Sequence, residues 1–348
     1  MRMILHVGMP KTGSSSIQRH LHGTDLGHGV SLARWSEPNH STLVWLLFQD
    51  EERLGDYHGF SARGPAFMAK LPAMKQRWLA SLEEDCAASR NGTLILSGEG
   101  MATHACDSAL HRLRAFLRDR AREVRVIGYV RSPRSFAASH FQQLLKGGRI
   151  STLDVASLWP GYRERFARLD ELFGRENVTL RPYDRDRLRD GDVVADFLHL
   201  AGLAPPAGKS PEANTSLSAE ATALLYLQRS RGEGFPAGFL GALQRNADFI
   251  SRLRTIGRRK FDFSGELWTP VLEANRADLD WMEERLGASL PDRADPRAIQ
   301  IGSERDLTRT AMQSYAALEE LVASSIVETD RLAAEDTACA VDLLRRLS

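Results

Sequence analysis

One run near the start of the chain, MILHVGMPKTGSSSIQ, limits the possible folds more than any other stretch. Met3-Ile4-Leu5-His6-Val7 is a short β-rich segment that stops at Gly8, and a helical pattern resumes at Ser14. Strand, tight glycine loop and helix in that order form half of a βαβ unit, which requires a second parallel strand elsewhere.

Further strands are easy to find. Thr93-Leu94-Ile95-Leu96-Ser97 follows a long helical pattern from about Pro65 to Ser89. The clearest is Val124-Arg125-Val126-Ile127-Gly128-Tyr129-Val130, preceded by an amphipathic helix over 108–122 with Leu110, Leu113, Phe116 and Leu117 on one face. Pro133 then sits near the start of another helix, where its missing N–H costs little. Asn177-Val178-Thr179-Leu180-Arg181 is a fourth strand, with a helix over 193–200 after it. Strands alternating with helices predict an α/β fold, a central parallel β-sheet flanked by helices, with ligands outside the strands' carboxyl ends.

Beyond Gly202 the pattern changes. LAPPAGKSPEANTSLS reads as a connector, and the chain beyond it is mainly helical, ending in a stretch over 304–348 with Leu307, Met312, Tyr315, Leu318, Leu321 and Val322 at helical spacing. The expected division is an α/β domain over 1–290, its part from 203 to 290 mainly helical, and a helical C-terminal extension over 291–348.

With 348 residues, 43% hydrophobic and 26% charged, the chain has the composition of a globular protein. A net charge of +1 argues against a nucleic-acid binder, so an anionic ligand has to be met by local positive charge. No long apolar run suggests a signal peptide or a membrane span. Cys86, Cys106 and Cys339 form no CxxC pair, so neither a disulfide framework nor a zinc site is expected. The expected location is the cytoplasm.

Gly8 and Gly13 have the spacing of a Walker loop, yet Ser14 stands where the lysine belongs, and Lys11 lies inside the loop. The backbone logic is unaffected: N–H groups from Thr12 to Ser16 open a helix N-terminus suited to an anion. The plainer alternative is a Gly/Ser turn with Ser14 as a helix cap. A nucleotide kinase or NTPase would also need a metal-binding aspartate at a strand end, and TLILS runs instead into Gly98-Glu99. A second constellation comes after VRVIGYV: Arg131 at the strand end and Ser139 in the next helix, a guanidinium fork and a hydroxyl suited to phosphate oxygens. Solvated arginines and a packing serine are the alternative.

HVGMPKTGSSSIQ resembles the 5′-phosphosulfate loop of sulfotransferases that use 3′-phosphoadenosine 5′-phosphosulfate (PAPS), and YVRSPRSFAASHFQ resembles their 3′-phosphate motif. The run NVTLRPYDRDRLRDGDVVADFLHLAGL is similar to the family's next strand, loop and helix, and the resemblance extends over roughly residues 1–290. It implies a P-loop nucleotide-kinase-like sulfotransferase fold, with PAPS as co-substrate and no metal required. By the same resemblance, Lys11 meets the bridging oxygen and sulfonate, Thr12, Gly13, Ser14, Ser15 and Ser16 hold the 5′-phosphate, and Arg131 with Ser139 holds the 3′-phosphate.

Glu99 at the end of its strand resembles the glutamate that some members use as general base; capping the next helix is its other reading. His40 and His104 are rival bases, ranked as acceptor-pocket residues. Trp35, Trp45, Phe48, Trp78 and Trp159 are further pocket candidates, although aromatics at helical spacing are more often core. Arg258-Arg259-Lys260 with Phe261 and Phe263 is a candidate lid, ranked below an ordinary solvated helix end. The expected reaction is sulfuryl transfer to a hydroxyl, or as second choice an amine, of a glycan or small molecule. A divergent kinase or NTPase and a non-catalytic PAPS-binding protein are the alternatives. A homo-oligomer through the C-terminal helices is a further expectation.

Overall fold

The computed structural model describes residues 1–27, 29–61, 63–204, 216–232, 239–325 and 337–347. The protein is α/β, with a central five-stranded parallel sheet flanked by helices and further helices toward the C-terminus. Two compact units divide it. The first comprises Met1–Ser132, Gly161–Asn214 and Ala277–Leu290; the second comprises Pro133–Pro160, Thr215–Arg276 and Pro291–Ser348. Residues 291–348 therefore share a unit with two earlier segments, one of which interrupts the α/β portion.

The first unit holds the sheet. Its strands are β1 (Arg2–Gly8), β2 (Val30–Leu32), β3 (Thr93–Ser97), β4 (Glu123–Val130) and β5 (Val178–Pro182), in the spatial order β2-β3-β1-β4-β5. All four pairings are parallel, with His6 opposite Ser97 on one side and Ile127 on the other. β1 is central and covered on both faces, which is why it reads as a continuous apolar run: Met3, Ile4, Leu5 and Val7 are fully buried. Ile4, Ile95 and Ile127 share a core with Ile17 and Leu21 of helix Ser14–Gly23 and with Val194, Phe197 and Leu198 of helix Val193–Ala201. Each such side chain contributes about 1.5–3 kcal/mol relative to exposure. Helices Ser41–Phe48, Asp107–Leu117 and Tyr162–Phe173 belong to the same unit and bury Leu46, Leu113 and Phe166.

The second unit is built around helix Ala219–Arg231, in which Ala219 and the run from Ala221 to Arg229 are buried, polar Gln228 and Arg229 included. Phe141, Phe249, Phe263 and Trp268 surround it in one apolar cluster with Leu307, Leu318 and Leu344 of the C-terminal helices. A small parallel sheet of β6 (Phe261–Phe263) and β7 (Ile299–Ile301) completes it. Arg134 is buried here, with Nε and the main-chain N–H donating to Asp292 at 3.2 Å and Nη1 to the Phe263 carbonyl at 2.8 Å.

One expectation changes. The helix expected over 65–89 is a single turn, Pro65–Met68, then helix Leu71–Ala88, because Pro72 restarts the helix in its first turn. The region after residue 217 is mainly helical, as expected, with the short strands β6 and β7 within it. The basic cluster lies exposed in the segment between helix Phe239–Leu253 and β6. Arg259 pairs with Glu220 at 3.2 Å and Lys260 with Asp295 at 3.0 Å, while Phe261 and Phe263 pack on Phe141. The connector falls largely on 205–215, outside the described residues.

Candidate active site at the carboxyl ends of β1, β3 and β4

The loop after β1 is shaped by its two glycines. Gly8 has φ 143° and Gly13 φ 80°, and a Cβ on Gly13 would meet Val193 Cγ1 at 2.6 Å. Between them Lys11 takes φ 66°, a left-handed conformation that costs a side-chain-bearing residue about 1–2 kcal/mol. The loop is tied from within and from the side. Thr12 Oγ1 donates to the Met9 carbonyl at 2.8 Å, and Arg131 Nη1 to the Lys11 carbonyl at 2.9 Å. The Arg131 N–H donates to Met9 Sδ at 3.3 Å, and Tyr162 Oη to the Arg131 carbonyl at 2.7 Å. β1 and β4 thus hold the loop in one shape.

Helix Ser14–Gly23 begins at the loop with no acidic residue in its first turn and no side-chain cap. Its N-terminal partial positive charge is not neutralised locally, and the N–H groups of Ser14 and Ser15 have no acceptor within the helix. Ser16 N already donates to the Gly13 carbonyl at 2.9 Å. Ser14 is 3% exposed, and its Oγ has no hydrogen-bond partner among the described residues. Ser15 is exposed and Ser16 half-buried. The Thr12 hydroxyl is buried and committed to Met9, so Thr12 can offer an anion its backbone but not its side chain.

Glu99 sits in the short 3-10 turn Glu99–Ala102 just beyond β3. The flanking glycines hold it there. The Gly98 N–H donates to the His6 carbonyl at 2.9 Å, carrying the β1–β3 ladder one step further. A Cβ on Gly98 would lie 2.7 Å from Ser41 N, and one on Gly100 2.9 Å from Ser41 Cβ. Ser41 Oγ accepts from the Gly100 N–H at 2.9 Å and donates to Asn39 Oδ1 at 2.6 Å. Burial pushes the Glu99 carboxyl above the ordinary carboxylate range, and the Lys11 ammonium pulls partly against it. The field of the Lys11 ammonium thus reaches the Glu99 carboxyl.

His40 is fully buried and serves as a clasp on β3. Its N–H donates to the Ser97 carbonyl at 2.7 Å, and its Nδ1 accepts from the Ser97 N–H at 3.0 Å. Burial lowers its pKa to about 4, so the ring is a neutral acceptor and not a wall of an open pocket. His6 is likewise enclosed, its Nδ1 2.7 Å from Ser97 Oγ, with burial lowering its pKa to about 3. The side chain of His104 is outside the described residues. Arg131 belongs to the first unit, and Ser139, 8% exposed on helix Pro133–Lys146, to the second.

Of the aromatic candidates, Trp45 and Phe48 are buried against Tyr57 and Phe116, and Trp159 stacks on Trp268 within the second unit. Trp35 and Trp78 instead meet edge to face at 4.7 Å. The braces Asn39, Ser41 and Tyr162 carry no mark in the sequence. The one available signal is the pair of glycines around Glu99, which points to a close backbone approach.

Among the described residues, no group of three or more His, Cys, Asp or Glu is arranged to hold a metal ion, and no helix is long and apolar enough to cross a membrane. No protein-family model matches the chain, and neither a curated protein nor a solved structure matches it significantly. The chemistry has to be read from the site itself.

Proposed function

We propose that the protein is a sulfotransferase that moves the sulfuryl group of PAPS to a hydroxyl, or as second choice an amine, of a glycan or small-molecule acceptor. The observation that carries this reading is the uncapped helix N-terminus, with the unpartnered Ser14 hydroxyl in its first turn, on a loop held by Arg131. The N–H groups of Gly13, Ser14 and Ser15 and the unpartnered Ser14 hydroxyl suit the 5′-phosphate. Lys11 stands within the field of Glu99, where a cation stabilises the charge developing on the leaving phosphate oxygen. In the step, the acceptor oxygen forms its bond to sulfur as the bond from sulfur to the bridging phosphate oxygen breaks. The acceptor proton passes to the Glu99 carboxylate, whose raised pKa brings it closer to that of an effective base. Arg131 and Ser139 are assigned to the 3′-phosphate through their motif.

Calorimetric titration with adenosine 3′,5′-bisphosphate, beside ADP and magnesium–ATP, tests the assignment. The bisphosphate should bind more tightly than either comparison ligand, and Lys11→Ala should abolish transfer of labelled sulfate from PAPS. Tight magnesium–ATP binding with no response to the bisphosphate would favour a nucleotide kinase or NTPase. Bisphosphate binding without transfer to any acceptor would leave a non-catalytic binding protein.

A further inference from the structure

A groove with a cavity of about 740 Å3 opens on the first unit beside β2, the edge strand of the sheet. That volume lies within the roughly 300–1,000 Å3 of small-ligand sites. Leu32 at the end of β2 and the chain after it, through Ser36, form one wall, helix Leu71–Ala88 forms another, and Leu21 and His22 of helix Ser14–Gly23 line it as well. Two tryptophans meet in it. Trp35 and Trp78 are half-buried, their rings 4.7 Å apart at 68°, and Trp35 Nε1 is buried with no hydrogen-bond partner among the described residues.

Beside the rings lies a fixed planar polar surface. Arg34 donates from Nε to Asp85 at 2.5 Å and from Nη2 to Glu84 at 2.7 Å and to the Ser81 carbonyl at 3.1 Å. Its guanidinium is thereby held, and the adjacent Glu84 carboxylate is exposed at the groove. The charges balance once Asp85 is counted, which is buried and pairs with Arg34 without itself lining the groove. Arg34 and Arg77 are offset by Glu84 and Asp85, Arg77 spreads over the Trp78 ring at 5.3 Å, and His22 also lines the groove. A balanced lining offers no preference for an anion. It combines indole surface for C–H faces, a guanidinium fork that donates, and a carboxylate that accepts, which together match adjacent sugar hydroxyls and the apolar face of a pyranose ring.

We propose that this groove binds a neutral oligosaccharide. Its wall continues along the chain from Ala33 to His40 and Ser41, and Ser41 packs on the glycines that flank Glu99. One backbone segment therefore serves both the groove and the Glu99 turn. Binding in the groove stands apart from the proposed transfer reaction. If that reaction also holds, the groove names the acceptor class.

The test is calorimetric titration of the full chain with neutral hexasaccharides of glucose, mannose and N-acetylglucosamine, and with a uronic-acid hexasaccharide as comparison. At least one neutral hexasaccharide should bind. Trp78→Ala and Ala80→Trp should each weaken that binding by about tenfold or more, the first by removing a ring and the second by filling the groove from an exposed position. Ala80→Trp should keep the wild-type melting temperature, so it decides the matter even if Trp78→Ala fails to fold. The proposal is overturned if no neutral hexasaccharide binds, if only the uronic-acid chain binds, or if Ala80→Trp binds as wild type does. Adenosine bisphosphate titrated into Ala80→Trp should bind as it does to wild type. Failure of the bisphosphate on wild type counts against the transfer reaction, and failure of the sugars against the groove.

Discussion

Replacing His40 with asparagine deletes one titrating group from the first unit while leaving an acceptor, Oδ1, where Nδ1 receives the Ser97 N–H. At about pH 7.5 the imidazole is neutral both folded and unfolded, so the variant loses only ring packing, about 1–2 kcal/mol. Acidification changes the comparison. The unfolded histidine protonates around its ordinary value of about 6.5, whereas the buried ring does so only near about 4. Because the folded value is depressed, wild-type stability is intact above 6.5 and falls as the pH drops toward 4. By about pH 5 roughly one and a half units of unbalanced protonation have accumulated, at about 1.4 kcal/mol each, or about 2 kcal/mol. Asparagine escapes that loss, so the gap between the two proteins should close. The contribution of His6 has the same sign and is common to both, so it cancels. Urea denaturation at the two pH values reads the gap. A gap that stays constant means that His40 titrates as an exposed histidine, and its description as an enclosed clasp fails.

Three other outcomes concern the site and the second unit. The Glu99 carboxyl, tracked by NMR, should titrate above the ordinary carboxylate value of about 4.3 and move higher still in Lys11→Met, since the ammonium lowers it; a downward move refutes the pairing. Gly98→Ala and Gly100→Ala should each destabilise by about 1–3 kcal/mol through crowding at Ser41. Ser41→Gly should partly rescue Gly100→Ala, whose clash is with the Ser41 side chain, but not Gly98→Ala, whose clash is with backbone; equal rescue in thermal melts would show the geometry is wrong. Asp292→Ala should cost about 3–5 kcal/mol in denaturation, because Arg134 would stay buried with its charge uncompensated; an unchanged midpoint contradicts this.

Most of the sheet is legible in the sequence because β1, β3 and the end of β4 are buried apolar runs, and in β5 buried Val178 and Leu180 alternate with half-buried Thr179 and Arg181. β2 is not, because at three half-buried residues it is too short for a periodicity to stand out. β6 and β7 are equally short, and each is a strand only because the other lies alongside it. In the site, Lys11, Gly13 and Arg131 are legible because local backbone geometry sets their positions. The role of His40 is not, since its partner Ser97 lies 57 residues away and a buried clasp carries the same letter as a pocket base. Thr12 is expected, by the family resemblance, to help hold the 5′-phosphate, yet its hydroxyl closes the loop from inside.

The ties that Arg131, Thr12 and Tyr162 place on the loop bear on how such a protein can diversify. A backbone pinned from the central strands cannot be reshaped by exchanging a loop residue, because neighbours on β1 and β4 specify its course. Descendants of this chain would inherit the shape of this loop as a fixed template. Change would accumulate instead at the sheet's edge, where the exposed positions Ser36, Arg77 and Ala80 can vary without disturbing it.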